Sequence, residues 1–510
     1  MASGNLMNNW EDHVIAEEKK VVVVGAGVGG LTAAICLALK GFRVTIVEKE
    51  GAPGGKMRQV EAGDTYLDGG PTVMTMKWVF DEFLSDADCS LDDLVTLRPA
   101  KVLARHWWRD GSELDLFADI ERTAEAIATF SDEENADGYR RFCADSAKVF
   151  RLLQRSYIDA QRPGPIELSR RIGFLRPDLL FSLRPFSTLW SALGKYFSDK
   201  RLRQLYGRYA TYCGSSPFQA PATLMLVAHV EQDGVWLVDG GMFALSKALA
   251  DMAMSLGVDV RYGERVAGVG VSGNRADGIH LASGEALAAD SVVFNGDVSA
   301  LSTLLHKGRR PAPVAPGNRS LSAVTWSTKI RKTPFPLAHH SVFFSDDYED
   351  EFYHILSRRR LPEDPTVYLC AQDRKDGGDG AGTDSERLFG LINAPADGDR
   401  VIFSDAAVRG LQARMITRLA ENGFELELEP SNLTVTTPTD FERLFPGTGG
   451  ALYGRASHGW LASFQRQGAR GPVPGLYLAG GSVHPGPGVP MAALSGKLAA
   501  ACLARDLGST

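Results

Sequence analysis

The chain has 510 residues, 44% hydrophobic and 23% charged, which suits a soluble protein with more than one core. A net charge of −7 gives it no overall footprint for nucleic acid. Six scattered cysteines, with no CxxC and no Cys/His cluster, favour reduced thiols in the cytoplasm over a disulfide frame or a zinc site.

Residues 1–18 are polar and read as a loose arm. The next stretch, VVVVGAGVGGLTAAICLALKGFRVTIVEKE (Val21–Glu50), organises the chain. Four successive valines suit a strand buried on both faces. They run into Gly25, Gly27, Gly29 and Gly30, then a helical pattern from Leu31 to Leu39 that Gly41 closes. A second strand, Arg43–Val47, ends on Glu48. This is a βαβ opening. Gly25 allows the tight turn, Gly27 lets the backbone approach a pyrophosphate, and Gly30 permits close helix–strand packing. The helix N-terminus offers free N–H groups to the phosphates, and Glu48 stands 18 positions after Gly30, where a carboxylate takes ribose hydroxyls. A hydropathy scan would read the uncharged run Val21–Leu39 as a membrane span or signal peptide. Four glycines in six residues suit a turn better. NAD and FAD both remain open at this point.

A second glycine loop, Gly51-Ala-Pro-Gly54-Gly55-Lys56-Met57-Arg58, follows, then a strand and Asp68-Gly69-Gly70-Pro71-Thr72. Lys56 and Arg58 can neutralise a pyrophosphate that one helix dipole only partly offsets. Lys101–Phe117 reads as a hairpin, and Ser131 with Glu134 as a capping box for a helix through Tyr139 to about Gln154. The stretch Arg170–Arg208 carries nine basic and two acidic residues, +7 locally, interleaved with Phe174, Leu179, Leu180, Phe181, Phe186, Leu189 and Trp190. Such a pattern fits a helical surface lying in a membrane interface, or equally a helical subdomain whose apolar face is core.

Val235–Phe294 returns to the nucleotide-binding style, with a helix from Met242 to about Leu256 and strands around Val260, Val266 and Val292. Leu321–Cys370 reads as sheet, Lys375–Ser385 as an exposed loop, Leu388–Asn393 as a strand and Val408–Asn422 as a helix. Near the end, LYLAGGSVHPGPGVPM (Leu476–Met491) is a strand, a Gly/Pro loop and the start of a helix running through Ala501. His339 and His340 are adjacent and expected to point different ways, and no paired-acid, Ser/His/Asp or metal-ligand set stands out.

GAGVGGLTAA, EKEGAPGGK and LDGGPT together resemble the flavin-dependent amine oxidase and carotenoid desaturase superfamily, although most members have Arg at the place of Lys56. LYLAGGSVHPGPGVPMAALSG resembles the bacterial carotenoid desaturases more than the amine oxidases. Gly70–Phe83, His339–Tyr348 and Phe445–Arg466 resemble the branch acting on 1-hydroxylated acyclic carotenoids.

The resemblance implies an α/β fold. It comprises a Rossmann-like FAD-binding domain built from separated segments, a mixed α+β substrate domain and a helical, membrane-contacting subdomain. Segments 19–76, 235–300 and 471–510 would form the FAD domain, 77–234 the helical substrate and membrane region, and 301–470 the substrate domain. It further implies non-covalent FAD held by Gly25, Gly27, Gly29, Gly30, Glu48, Gly55, Lys56, Arg58, Gly70, Pro71, Thr72, Val266, Gly480, Gly481, Gly488, Val489, Pro490 and Met491. In this reading flavin carries the chemistry and no side chain is catalytic. His484 either lies over the flavin ring or only holds its loop. The substrate is a long apolar carotenoid gaining a C3–C4 double bond, with His339, His340 and His458 as candidates for binding its hydroxyl. Oxygen or a membrane quinone would reoxidise the flavin. The protein would sit in the cytoplasm, peripheral on the inner membrane, and need no metal. Phytoene desaturase, carotenoid isomerase and a flavin-free lipid escort are the competing readings.

Overall fold

Val21–Val24 are buried without exception, because their strand lies at the middle of a parallel sheet covered on both faces. The computed structural model describes residues 19–173, 183–184, 186–306, 310–374, 384–459 and 461–508. That sheet contains β1 (Lys20–Val24), β2 (Arg43–Val47), β3 (Asp259–Arg261), β4 (Ser291–Phe294) and β5 (Leu476–Leu478). Their order is β3-β2-β1-β4-β5, all parallel. Three separated stretches of sequence therefore meet in one sheet.

Helix α1 (Val28–Ala38) follows β1 and is buried from Val28 to Leu37. It packs between α2 (Met242–Ser255) and the C-terminal α3 (Val489–Asp506). A Cβ at Gly496 would lie 2.1 Å from the Gly29 carbonyl oxygen, so α1 and α3 touch backbone to backbone. Gly41, at φ +79°, turns the chain out of α1 toward β2.

The second half is a seven-stranded sheet in the order Leu433–Thr436, Ser322–Arg331, Ser385–Ala394, Val367–Ala371, His340–Phe343, Val102–Trp107 and Glu113–Phe117. Neighbours are antiparallel except His340–Phe343 against Val102–Trp107. The hairpin expected within 77–234 thus forms one edge of the sheet otherwise drawn from 301–470. A two-stranded ribbon is marginal alone, and here Trp107 stacks on Phe343 with centroids 4.6 Å apart. Helix Asp405–Glu421 covers this sheet through Leu411 and Met415.

Local readings shift in two places. The helix expected from a Ser131/Glu134 box runs Glu133–Leu153 and is capped by Asp132, whose carboxylate accepts the Asn135 N–H at 2.8 Å. Ser131 instead ends the preceding helix, Ile120–Phe130, donating its N–H to the Ile127 carbonyl. Within Arg170–Arg208, Phe174, Arg176, Leu179, Leu180 and Phe181 lie outside the described residues. Of the rest, Arg170 and Arg171 pair with Glu167, Arg184 with Asp145 and Arg201 with Asp199, while Leu189 is core. Four of the eight described basic residues are therefore ion-paired, two of them with the same Glu167. Residues 375–383 of the expected Gly/Asp-rich loop also lie outside the described residues, and Ser385 already begins a strand.

Candidate active site

Three glycine loops converge at the C-terminal edge of the parallel sheet. In the first, Gly25 has φ +98°, and a Cβ at Gly30 would sit 2.2 Å from the Gly25 carbonyl oxygen. At Gly29 a Cβ would meet the Ala492 carbonyl and the Gly480 N–H group, so the turn also touches the C-terminal loop. The second loop pairs with the first: Gly54 donates its N–H to the Ala26 carbonyl at 2.9 Å, and the Gly55 Cβ direction runs onto Gly27 Cα. In the third, Gly480 donates to Ser495 Oγ at 2.7 Å, and Gly488, at φ +115°, opens α3 ahead of Val489, Pro490 and Met491.

Glu48, expected to take ribose hydroxyls, holds the backbone of the opening turn. Its Oε2 accepts the Ala26 N–H at 2.7 Å and its Oε1 the Glu50 N–H at 2.9 Å. Asn295, at the end of β4, donates from Nδ2 to the carbonyls of Gly25 (3.2 Å) and Gly27 (3.3 Å). Its side chain would also meet a Cβ at Gly29, Gly30 or Gly480. Sequence reading placed Asn295 only at a strand end; its role as the link between two glycine loops is a tertiary fact. Asp68 accepts the N–H groups of Met242 (2.5 Å) and Phe243 (3.1 Å), which caps α2 and fixes the Gly69-Gly70-Pro71 loop.

The basic residues of the second loop reach across the molecule. Lys56 is held by the Leu452 carbonyl and lies 5.2 Å from the Phe445 centroid; Arg58 donates to Thr436 Oγ1 at 3.2 Å. Burial pushes both below their usual pKa, with Asp297 opposing it at Lys56 and Asp440 at Arg58. Arg466 is buried too, and donates to the carbonyls of Tyr453, Gly481 and Arg455 at 2.7–3.2 Å. It ties the C-terminal glycine loop to segment 453–455, and no sequence motif singled it out.

All these loops border one cavity of about 1120 Å³. Its wall includes Gly25, Gly27, Gly29, Glu48, Gly55, Lys56, Arg58, Gly70, Pro71, Thr72, Val266, Gly480, Gly481, Gly488, Val489, Pro490 and Met491. Leu153, Tyr157, Leu224, Leu226, Val230, Phe389 and Leu391 line the same cavity. Glycine-loop backbone and apolar side chains thus share one space. Gly30 is packed behind the turn, against Gly25 and Asn295, and does not border the cavity among the described residues.

His484 is turned away from this space. Its Nε2 meets the Ala160 carbonyl at 2.9 Å and its ring stands edge-on to Tyr157 at 4.6 Å. Burial pushes its pKa down to about 4. Of the two roles open to it, the contacts are those of a loop anchor. His339 and His340 do not diverge as expected: their rings are 4.6 Å apart, and Cys370, opposite His340 on the next strand, completes a cluster within 4.8 Å. His340 borders the cavity. His458 is held at Ser216 N, 3.3 Å away, and is pushed down to about 4 by burial.

The chain matches the model of the flavin-containing amine oxidoreductases over residues 28–504. It belongs to that family. Family membership brings a flavin cofactor, and the glycine cradle, with its close approaches at Gly27 and Gly29, fits one. Among curated relatives, it is 51% identical to hydroxyneurosporene desaturase of Rubrivivax gelatinosus over 500 residues, 96% of this chain and 94% of that protein. It is 30% identical to 1-hydroxycarotenoid 3,4-desaturase of Flavobacterium sp. (strain P99-3), over 94% of this chain and 98% of the relative. Among solved structures, the cyclohexylamine oxidase of Brevibacterium oxydans superposes with a TM-score of 0.58 at 16% identity, covering 96% of this chain and 100% of that one. That likeness fixes the family fold. No described helix is long and apolar enough to cross a membrane.

Proposed function

We propose that this family member is an FAD-dependent carotenoid desaturase that introduces a C3–C4 double bond into acyclic 1-hydroxycarotenoids. One observation carries the reading. A single cavity joins the three glycine loops to an apolar interior, in a chain whose full-length relatives are named hydroxyneurosporene desaturase and 1-hydroxycarotenoid 3,4-desaturase.

In such a substrate C4 is allylic to the polyene, and desaturation removes a hydride from one carbon and a proton from its neighbour, the proton passing to a weak base or water. FAD, when bound, would supply the hydride acceptor, with oxygen or a membrane quinone as its oxidant. The chain's own residues bind and align. Gly25, Gly27, Gly29, Gly480 and Gly488 would hold the cofactor's pyrophosphate and ring, Glu48 would take the ribose hydroxyls, and Lys56 and Arg58 would add positive charge. Leu153, Leu226, Phe389 and Leu391 exclude water and hold the chain extended over the reacting end. The cofactor loop Gly480–Met491 contains no cysteine, which supports non-covalent attachment.

A long carotenoid reaches the cavity from a lipid phase. Ile166 and Phe186, each 82% exposed, and the exposed Arg170, which shares the helix Pro165–Ile172 with Ile166, support a peripheral membrane contact.

The test uses purified protein, quantified for FAD and supplied in liposomes with phytoene or 1-hydroxyneurosporene. A polyene spectrum lengthened by one conjugated double bond from 1-hydroxyneurosporene is the expected result. Conversion of phytoene alone would overturn the substrate assignment. Absence of bound FAD would favour a lipid escort instead.

A further inference from the structure

Polar side chains are costly in an apolar cavity unless each is paired. Yet Thr72, Arg208, Tyr212, His340 and Tyr368 come together on the cavity wall, directly after the Gly69-Gly70-Pro71 loop in the case of Thr72. Tyr368 is the hub. Its hydroxyl is 2.6 Å from Thr72 Oγ1 and 2.8 Å from His340 Nδ1, and the Arg208 guanidinium lies 5.1 Å from its ring centroid. Arg208 also donates to Tyr212 Oη at 3.2 Å. Tyr212 hydrogen-bonds Glu231, which accepts a further bond from Tyr209 at 2.7 Å.

This cluster is not closed on itself. A guanidinium has five N–H donors, and among the described residues Arg208 finds one hydrogen-bond acceptor and no carboxylate within ion-pairing distance. His340 Nε2 is buried without a partner among the described residues, and burial, with His339 and Arg208 adding to it, keeps the ring neutral. Glu231 meets Arg208 only through Tyr212, and the carotenoids proposed above bring no anion to the cluster. It lacks a neutral group that accepts from Arg208 and can also donate, and a hydroxyl does both.

Position narrows the choice. Thr72 follows Gly70, where a Cβ would fall 1.8 Å from the Lys56 carbonyl oxygen, so the cluster abuts the cofactor loops. In a 1-hydroxycarotenoid the oxygen is three covalent bonds from C3. An anchor for that oxygen must therefore adjoin the place where C3 and C4 react. A desaturase acting on mid-chain bonds would press hydrocarbon against these same donors and leave them unpaired.

We propose that Arg208 and Tyr368, oriented by Thr72, His340 and Tyr212, receive the C1 hydroxyl of the substrate and so select the C3–C4 bond. The proposal rests on the function proposed above. It is tested on the holoprotein by presenting 1-hydroxyneurosporene and unhydroxylated neurosporene together in the same liposomes. The ratio of their turnover is read alongside the ratio of their dissociation constants from the carotenoid absorbance shift. In Tyr368→Phe and Arg208→Lys the preference for the hydroxylated substrate is expected to fall about tenfold or more, with flavin content as the check on folding. Tyr368→Phe removes one oxygen atom only and decides the matter if Arg208→Lys does not fold. A wild-type protein with no preference overturns the functional reading and this inference with it. A wild-type preference that both variants retain overturns this inference alone.

Discussion

Asn295 Nδ2 donates to the Gly25 carbonyl oxygen at 3.2 Å, joining residues 270 positions apart in sequence. The same nitrogen reaches the Gly27 carbonyl at 3.3 Å, so one side chain sets the shape of the turn expected to meet the pyrophosphate. Removing the amide leaves two carbonyls to be satisfied otherwise, at a cost of about 1–3 kcal/mol. Asn295→Ala is therefore expected to raise the flavin dissociation constant about tenfold in a fluorescence titration. Asn295→Asp should weaken binding further, because a carboxylate has no donor to offer those carbonyls.

The glycines of the first two loops differ in what they tolerate. At Gly30 an added methyl meets backbone, the Gly25 carbonyl oxygen at 2.2 Å, whereas at Gly51 it meets nothing within 4 Å. Gly30→Ala is expected to yield protein without stoichiometric flavin. Gly51→Ala should stay within about 0.5 kcal/mol of wild type in chemical denaturation. Flavin absorbance per protein measures the first effect and the unfolding midpoint the second.

His484 provides a pH test. Its folded pKa is pushed by burial from 6.5 to about 4, so between those values the unfolded chain binds a proton that the folded chain refuses. Stability from this group is whole above pH 6.5, falls as pH drops toward 4, and is level below that. Within the window the slope is about 1.4 kcal/mol per pH unit. His484→Gln should flatten the wild-type dependence between pH 6.5 and pH 4 by about that slope in denaturant titrations. An unchanged difference between wild type and variant at both ends would show that His484 does not titrate as described.

Two ion pairs should respond very differently to truncation. Arg374 and Glu386 are both buried and share two hydrogen bonds, at 2.7 and 2.9 Å. Glu386→Ala leaves the buried Arg374 guanidinium without its carboxylate and is expected to cost about 3–5 kcal/mol. Lys247 and Asp251 form an exposed pair on α2, and Asp251→Ala should cost no more than about 0.5 kcal/mol. Melting and denaturant curves of the two variants distinguish them directly.

The sequence by itself determined the cofactor half of this protein. A run of valines, glycines at fixed offsets and an acid after the second strand are local requirements: a φ near +98° at Gly25 or a Cβ-free surface at Gly29 can be met by few residue types. The spacing that reveals such sites lies within a few turns of chain. Resemblance in the C-terminal blocks extended the same reading to a flavin.

Only the tertiary structure decided which groups stand together in the substrate half. Arg208, Tyr368 and Thr72 come from a helical turn, a strand and a loop, and no spacing connects them. Sequence reading named histidines as hydroxyl partners, yet His458 is taken up by Ser216 N–H and His339 by the Arg374 carbonyl, and only His340 borders the cavity. Lys56 and Arg58 stayed where their motif put them, but their tips are engaged by partners nearly four hundred positions away. A buried cation takes whichever carbonyl or ring the fold brings within reach, and that choice is made by packing between halves of the molecule, not by its neighbours in sequence.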